Sequence, residues 1–173
     1  MKIIIDLDNI IINSSRMVYE LYAKDNKIDK PYYSNHDWIF SGLIEKENLG
    51  DLLKYFSDIR LYENTIEMPN AIKVIQDLSK DNEITVVTKH NINRISITEK
   101  WINKTFKNVK IEYLSSFDKS SFSGDIFIDD RIDCLESVKG NFKQLICFGN
   151  YEWNKEWKGE RICNWNSIYK YLK

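Results

Sequence analysis

The 173-residue chain has two prolines, three cysteines, two histidines and no excess of either charge, since 25 Lys and Arg face 26 Asp and Glu for a net charge of −1. Each scarcity excludes something. A near-neutral chain is not a general nucleic-acid binder, which carries a basic excess, although a small anionic ligand needs only one or two local cations. Cys134, Cys147 and Cys163 are odd in number and none lies in a Cys-x-x-Cys pair. They read as reduced thiols of a cytosolic protein, not as a disulfide framework or a zinc site. His36 and His90 have no mutual spacing that suggests a metal site and are expected to be surface or structural residues. No apolar run approaches the roughly 20 residues of a membrane span. The first residues read as a strand and not as a signal peptide. Repeats, low-complexity tracts and charge blocks are lacking. The expected setting is the cytoplasm, with no membrane or nucleic-acid partner.

What the chain does have is alternation. Ile3-Ile4-Ile5 is a β-branched run that reads as a strand buried on both faces. Asn13 to about Ile28 reads as a helix with Met17, Val18, Leu21 and Tyr22 on one stripe, and Lys46 to Ser57 as a second helical segment. Pro69 opens a third helix with Ala71, Ile72, Ile75 and Leu78. Beyond it, EITVVT, VKIEYL, DIFIDD and QLICF read as strands, with helices around Ile95–Phe106, around Ile132–Leu135 and from Trp165. Strands alternating with helices imply an α/β fold, a parallel sheet with helices on both faces. The stretch between Ile5 and Pro69 is far too long for a simple crossover, so a small helical cap is expected there. Residues 14–67 are assigned to it, and 1–13 with 68–173 to the core domain.

In an open α/β sheet, ligands bind beyond the carboxyl ends of the strands, near the point where strand order reverses. Asp6 and Asp8 follow the first strand, Thr88 and Lys89 the second, Asp118 and Lys119 lie in the loop after the third, and Asp129 and Asp130 end the fourth. An isolated Asp pair is usually a capping device, and a lone strand-end threonine or loop lysine is ordinary. Four such endings on one edge are hard to assign to capping. The residue types suit one chemistry. Carboxylates from different strands fit Mg²⁺, which keeps its waters and binds phosphate. A lysine supplies a point charge to a phosphoryl oxygen and a threonine hydroxyl donates to another. A carboxylate can itself attack phosphorus and form an aspartyl phosphate.

In these motifs the chain resembles the haloacid-dehalogenase-like phosphatases, whose fold is Rossmann-like. Asp6-Leu7-Asp8-Asn9-Ile10 matches that family's Asp-x-Asp-x-Thr/Val, ITVVT ends in its Ser/Thr at Thr88, Lys119 matches its lysine, and GDIFIDDR carries its acidic pair at Asp129 and Asp130. Within the family it is most similar to the 5′(3′)-deoxyribonucleotidases, through MPNAIKVIQDLSK, Glu99-Lys100-Trp101, GDIFIDDR and NWNSIYKYL, and loosely in the cap. Asn9 replaces the usual Gly, and Ile10 the usual Val or Thr.

The resemblance implies roles. Asp6 is the nucleophile. Asp8 is the acid and base, and its carboxylate neighbourhood is expected to raise its pKa. Mg²⁺ is held by Asp6, the carbonyl of Asp8 and Asp129, with Asp130 behind them. Thr88, Lys89 and Lys119 hold phosphate. Tyr32, Tyr33, Trp38 and Phe40 are read either as the core of the cap or as a surface for a nucleobase, with Trp38 and Phe40 the named candidates. Trp153 and Trp157 are expected to pack. The expected function is Mg²⁺-dependent hydrolysis of nucleoside 5′-monophosphates, with deoxyribonucleotides as one expected preference and a homodimer as one expected assembly. The rivals are a phosphatase of another small ester such as a sugar phosphate, a receiver-like module, and a silent phosphate-binding module.

Overall fold

Ile3, Ile4 and Ile5 are apolar on both sides of the pleat, so their strand is stable only where both faces are covered. The computed structural model describes residues 1–33, 36–63 and 65–173; Ser34, Asn35 and Asn64, within the stretch assigned to the cap, lie outside the described residues. The elements in chain order are β1 (Lys2–Ile5), α1 (Ser14–Asp25), α2 (Leu49–Lys54), α3 (Ala71–Leu78), β2 (Glu83–Lys89), α4 (Ile92–Thr105), β3 (Val109–Leu114), β4 (Gly124–Asp129), α5 (Ile132–Ser137), β5 (Phe142–Phe148), β6 (Arg161–Ile162) and α6 (Trp165–Leu172).

The six strands form one sheet in the order β3-β2-β1-β4-β5-β6, every pair parallel. This is the expected Rossmann-like α/β sheet. β1 is central, with Ile5 in register with Val86 on one side and Ile128 on the other. Strand order reverses between β1 and β4, so the crevice beyond Ile5 and Asp129 is where a ligand site belongs.

Alternation divides the core. Ile3 and Ile5 face a large cluster with Ile126, Ile128, Ile146 and Phe148, covered by α3, α4 and α6 through Val74, Ile75, Ile102 and Ile168. Ile4 faces a smaller cluster with Val87, Phe127 and Cys147, covered by α5 through Cys134 and Leu135. Each fully buried Ile or Phe contributes roughly 1.5–3 kcal/mol, enough for these two layers to dominate the fold. Met17, Val18, Tyr19 and Tyr22 of α1, with Phe40, Leu43, Leu52 and Leu61, continue the large cluster without a break. Among the described residues no helix is long and apolar enough to cross a membrane.

Two expectations are modified. The helix read over Lys46–Ser57 is α-helical only over Leu49–Lys54, between 3₁₀ turns at Lys46–Asn48 and Tyr55–Ser57. Gly50 weakens helix propensity there, and Leu53, on the expected apolar stripe, is exposed. β6 is not visible in the sequence: two residues cannot display a period, and Arg161 and Ile162 become a strand only by pairing with Cys147 and Phe148.

Candidate active site

The backbone turns sharply after β1. Asp6 N–H still donates to Ile128 O, extending the sheet by one residue, and the N–H groups of Ile10, Ile11 and Ile12 converge on Leu7 O. This turn requires a left-handed residue, and Asn9 takes that position with φ 58°. Asn adopts this region more readily than most residues. Its side chain adds a function that Gly lacks: Asn9 Oδ1 accepts from Ser15 N–H at 3.0 Å and Ser14 Oγ at 3.4 Å at the start of α1. Two distant side chains fix the turn from behind. Tyr151 Oη donates to Asn9 O and Trp165 Nε1 to Ile10 O, both at 2.7 Å.

One member of each acid pair, Asp6 after β1 and Asp129 at the end of β4, meets the other over one cation. Lys119 Nζ donates to Asp6 Oδ1 at 2.6 Å and to Asp129 Oδ2 at 2.7 Å, with the lysine 1% exposed. The free edges are used as well: Asp6 Oδ2 accepts from Asp8 N–H, and Asp129 Oδ1 from Arg131 N–H. Asp130 is buried beside them and accepts from Trp153 Nε1 at 3.0 Å. Three buried carboxylates around one ammonium leave an excess of negative charge. Burial, with the charges of Asp129 and Asp8 added and Lys119 opposing, pushes the Asp6 carboxyl up to about 7. Burial and the neighbouring Asp129 and Asp6 likewise push Asp130 well above the ordinary range. Burial alone would lower Lys119, but Asp129 and Asp6 outweigh it and hold the lysine charged, above its ordinary value.

Asp8 behaves in the opposite way to expectation. Its two oxygens are taken by Arg94, Nη1 to Oδ2 at 2.9 Å and Nη2 to Oδ1 at 2.7 Å. Burial pulls the Asp8 carboxyl up, but the Arg94 charge and hydrogen bonds win and hold it below the ordinary carboxylate value. The pKa raised by crowding is that of Asp6. Arg94 is itself buried, its guanidinium carbon 5.2 Å from the Phe56 ring centre, and it also donates to Tyr62 Oη at 3.3 Å. Nothing in the strand-end pattern marked it. Arg94 lies in the first turn of α4, after the N-cap Asn91, where an arginine is ordinarily solvated.

Thr88 is buried at the end of β2, its Oγ1 3.5 Å from His90 Nδ1. Both histidines were expected at the surface or in structural roles. Neither is at the surface: His36 is buried and stacks on Phe40 with ring centres 4.6 Å apart, and His90 is buried and lines the pocket. Burial, with the Arg94 charge, lowers His90 to about 4, so it is neutral at physiological pH. Lys89 stands apart from Lys119: it is exposed, on the pocket lining, with Nζ 4.8 Å from the Phe117 ring centre.

These groups line one cavity of about 370 Å³, within which Asp6, Asp8, Thr88, Lys89, Lys119 and Asp130 meet Trp38, Phe40, Phe56, Arg94, Phe117 and Arg131. That is the size of a small-molecule site. Asp129 lies directly behind it, fully buried. Phe40 has φ 55°, a strained value for a bulky residue, and its ring is held against His36. Trp153 packs, as expected, but also bonds Asp130; Trp157 is half-buried against the smaller core cluster.

The donor set suits Mg²⁺. Among the described residues no three His, Cys, Asp or Glu side chains converge as a closed cage. Mg²⁺ does not need one, since it commonly takes one or two carboxylates, waters and substrate phosphate. Asp6 and Asp129 offer two carboxylates in a site whose surplus negative charge a divalent cation would relieve.

Over residues 1–173 the chain matches the family described as 5′ nucleotidase, deoxy (pyrimidine), cytosolic type C protein (NT5C). No curated protein matches its sequence. Its fold is similar to that of a haloacid dehalogenase-like hydrolase, SP0104, from Streptococcus pneumoniae (TM-score 0.65, 13% identity, covering 99% of this chain and 98% of that one). It is also similar to the magnesium-bound hydrolase YfnB from Bacillus subtilis (0.60, 14%, 99% and 97%). A third likeness is to the D,D-heptose 1,7-bisphosphate phosphatase from Burkholderia thailandensis (0.52, 8%, 99% and 97%). At such identities these likenesses speak for the fold, and the family match speaks for the rest. The chain belongs to the deoxy 5′ nucleotidase type C family, and so is a phosphatase, with a fold like that of the haloacid dehalogenase-like hydrolases.

Proposed function

We propose that the protein is a Mg²⁺-dependent phosphomonoesterase that hydrolyses nucleoside 5′-monophosphates, deoxyribonucleotides among them, through an aspartyl phosphate. The observation that carries this reading is the buried bridge of Asp6, Lys119 and Asp129 at the floor of a pocket of substrate size. It puts two carboxylates from separate segments within hydrogen-bond distance of one ammonium from a third. Asp6, Asp129 and the carbonyl of Asp8 would hold Mg²⁺ with waters, and the ion would supply charge stabilisation at the phosphoryl oxygens.

In this reading Asp6 attacks phosphorus in line: its bond to phosphorus forms as the ester P–O bond breaks, and the departing alkoxide takes a proton from Asp8. A water then gives its proton to Asp8 and attacks phosphorus, the Asp6–phosphorus bond breaks, and inorganic phosphate leaves. Thr88 and Lys119 hold phosphoryl oxygens, and Lys89 meets the anion at the mouth. Asp130, bonded to Trp153, supports the strand end. The Arg94 pair keeps Asp8 ionised, which suits the second step. For the first, Asp8 must leave Arg94 and carry a proton, and a bound phosphate dianion is the natural competitor for that guanidinium. Residues 14–67 act as the cap that closes the pocket from above, supported by the positions of Trp38, Phe40, Leu53 and Phe56 on its lining. The three free cysteines suit a reducing compartment such as the cytoplasm.

The test is a panel of phosphate esters, including ribo- and deoxyribonucleotides and sugar phosphates, assayed on the full chain with and without Mg²⁺. Phosphate release from nucleoside 5′-monophosphates only in the presence of the metal is expected. Full turnover by EDTA-treated, metal-free protein would refute the metal assignment, and a clear preference for sugar phosphates would replace the substrate.

A further inference from the structure

The chain leaves β5 at Phe148 and folds back over the ends of β4 and β5 before it enters β6. Gly149 makes the corner with φ 77°. A side chain there would collide with Tyr151, since a Cβ would lie 2.5 Å from its ring. The corner leads into a 3₁₀ turn, Glu152–Asn154, whose last residue, Asn154, is fully buried.

A buried amide is tolerated only when its polar atoms are paired, and Asn154 pairs all of them. Nδ2 donates to Asp130 O at 2.9 Å and to Phe148 O at 3.0 Å. Oδ1 accepts from Tyr151 N–H at 3.0 Å and from Arg161 Nη1 at 2.7 Å. The two ends of the amide are not interchangeable, because one faces two carbonyls and the other two donors. The ladder between β4 and β5 ends with Asp129 in register with Cys147. The Asn154 amide closes the next rung, bridging the carbonyls of Asp130 and Phe148.

The neighbours of Asn154 reach the same acidic corner. Among the described residues, the only hydrogen bond to the Asp130 carboxylate comes from Trp153 Nε1, at 3.0 Å. Asp130 is thus held at its carbonyl by Asn154 and at its carboxylate by Trp153. Tyr151 stacks on Trp153 with ring centres 4.5 Å apart and planes inclined by 8°, and its hydroxyl donates to Asn9 O at 2.7 Å. One short turn therefore joins the end of β4 to the loop after β1. That junction opposes a repulsion. Asp6, Asp129 and Asp130 are buried around one ammonium, and their surplus like charge pushes the two strand ends apart.

We propose that Asn154 and Trp153 are positioning residues for the metal site: they fix the acidic end of β4 against the loop after β1, so that Asp129 and Asp6 stay close enough to serve one Mg²⁺. Each acts through Asp130, and neither has to touch the ion or the substrate. This rests on the reading of Asp6 and Asp129 as the metal's carboxylates. A residue that only fills the core would stabilise the fold without setting the affinity for the ion. A residue that holds a ligand-bearing strand end in place sets both.

The test uses the full chain and two readouts, neither of them activity. Trp153→Phe keeps an aromatic ring in the stack and loses the N–H to Asp130, and Asn154→Ala removes the bridge between the strand ends. Leu78→Ala, a core change in α3, supplies a protein destabilised elsewhere. Titration calorimetry with Mg²⁺ alone is expected to show Kd raised about ten- to hundredfold in Trp153→Phe and Asn154→Ala, and held within about threefold of wild type in Leu78→Ala. Hydrogen exchange without metal follows the Arg131 N–H, which bonds Asp129. It is expected to speed up roughly tenfold or more in the first two variants, relative to the amides of β2. Exchange within about threefold of wild type in a folded variant would overturn the role of that residue, and if Asn154→Ala does not fold, Trp153→Phe decides. Faster exchange with an unchanged Kd would overturn the link to the metal site, since the turn would then only hold the fold together. A wild type that binds no Mg²⁺ would sink the metal reading, and with it the purpose assigned to the turn, whereas faster exchange at Arg131 would still support the brace itself.

Discussion

Replacing Arg94 with Met removes the charge and keeps most of the volume. In the wild type, the guanidinium makes two bonds to Asp8 and is nearly sealed from solvent, with 4% of its side chain exposed against 23% for Asp8. Removing one partner of a buried pair costs about 3–5 kcal/mol. Asp8 faces the pocket and regains some water there, so about 2–3 kcal/mol is the better figure. For a chain of this length each kcal/mol moves Tm by roughly 2–4 °C, giving a drop of about 5–10 °C at neutral pH. The pH dependence is the sharper test. Asp8 is held below its unfolded value in the wild type. It therefore contributes stability that is present above the unfolded pKa and lost as pH falls through the folded one. In Arg94→Met the burial term is unopposed, the folded pKa lies above the unfolded one, and the penalty is relieved by protonation. The stability deficit should shrink as pH is lowered from about 7 to about 4. Chemical denaturation across that range measures it, with Asp8→Asn and the double variant completing a cycle. A deficit below about 0.5 kcal/mol at neutral pH, or one that does not narrow on acidification, would refute the reasoning that Arg94 holds Asp8 ionised.

The other expectations concern the chemistry. Asp6→Asn should lose activity by several orders of magnitude, on the order of 10⁴-fold or more, yet melt no lower than the wild type, because it removes a carboxylate that burial and Asp129 oppose; phosphate release within tenfold of wild type ends its assignment as nucleophile. Asp129→Ala should need far more Mg²⁺ for turnover, and calorimetry should show weaker metal binding; unchanged binding removes it as a ligand. Asp8→Asn should slow alkyl phosphates more than aryl phosphates, which leave without a proton, whereas Lys119→Ala should slow both alike; equal losses in Asp8→Asn contradict its role as acid.

What was legible in the chain follows from where each residue sits. Asp6, Thr88 and Asp129 close apolar runs, and a strand that is apolar on both faces can only be central in a covered sheet, so its last residue is delivered to the crevice. Lys119 was legible by order alone. Arg94 was not, because its side chain is turned inward by Asp8, 86 residues away in the chain, and its own helix gives no sign of that. The same holds for Tyr151 and Trp165, which reach the carbonyls of Asn9 and Ile10 from 142 and 155 residues away. Aromatics near the site could be counted but not oriented. Trp38 and Phe40 read as equivalent, and the structure separates them through His36, which takes the face of Phe40, and Arg131, which covers that of Trp38.

The two buried cations differ for a reason. Lys119 must serve carboxylates that arrive from β1 and β4 at different angles, and an ammonium with three rotatable donors can bond both and still turn toward a phosphoryl oxygen. Arg94 serves one carboxylate, and its planar fork occupies both oxygens of Asp8 at once. A lysine at position 94 could satisfy only one oxygen well, leaving the other free and the side chain less fixed. A fork at position 119 would hold one strand end firmly and leave the other short of a partner. The choice of cation thus separates the aspartates by more than charge: Asp6 shares a partner and is crowded upward toward about 7, while Asp8 has a partner to itself and is drawn down. Two carboxylates two residues apart are thereby kept chemically distinct, as the roles proposed for them, nucleophile and proton carrier, require.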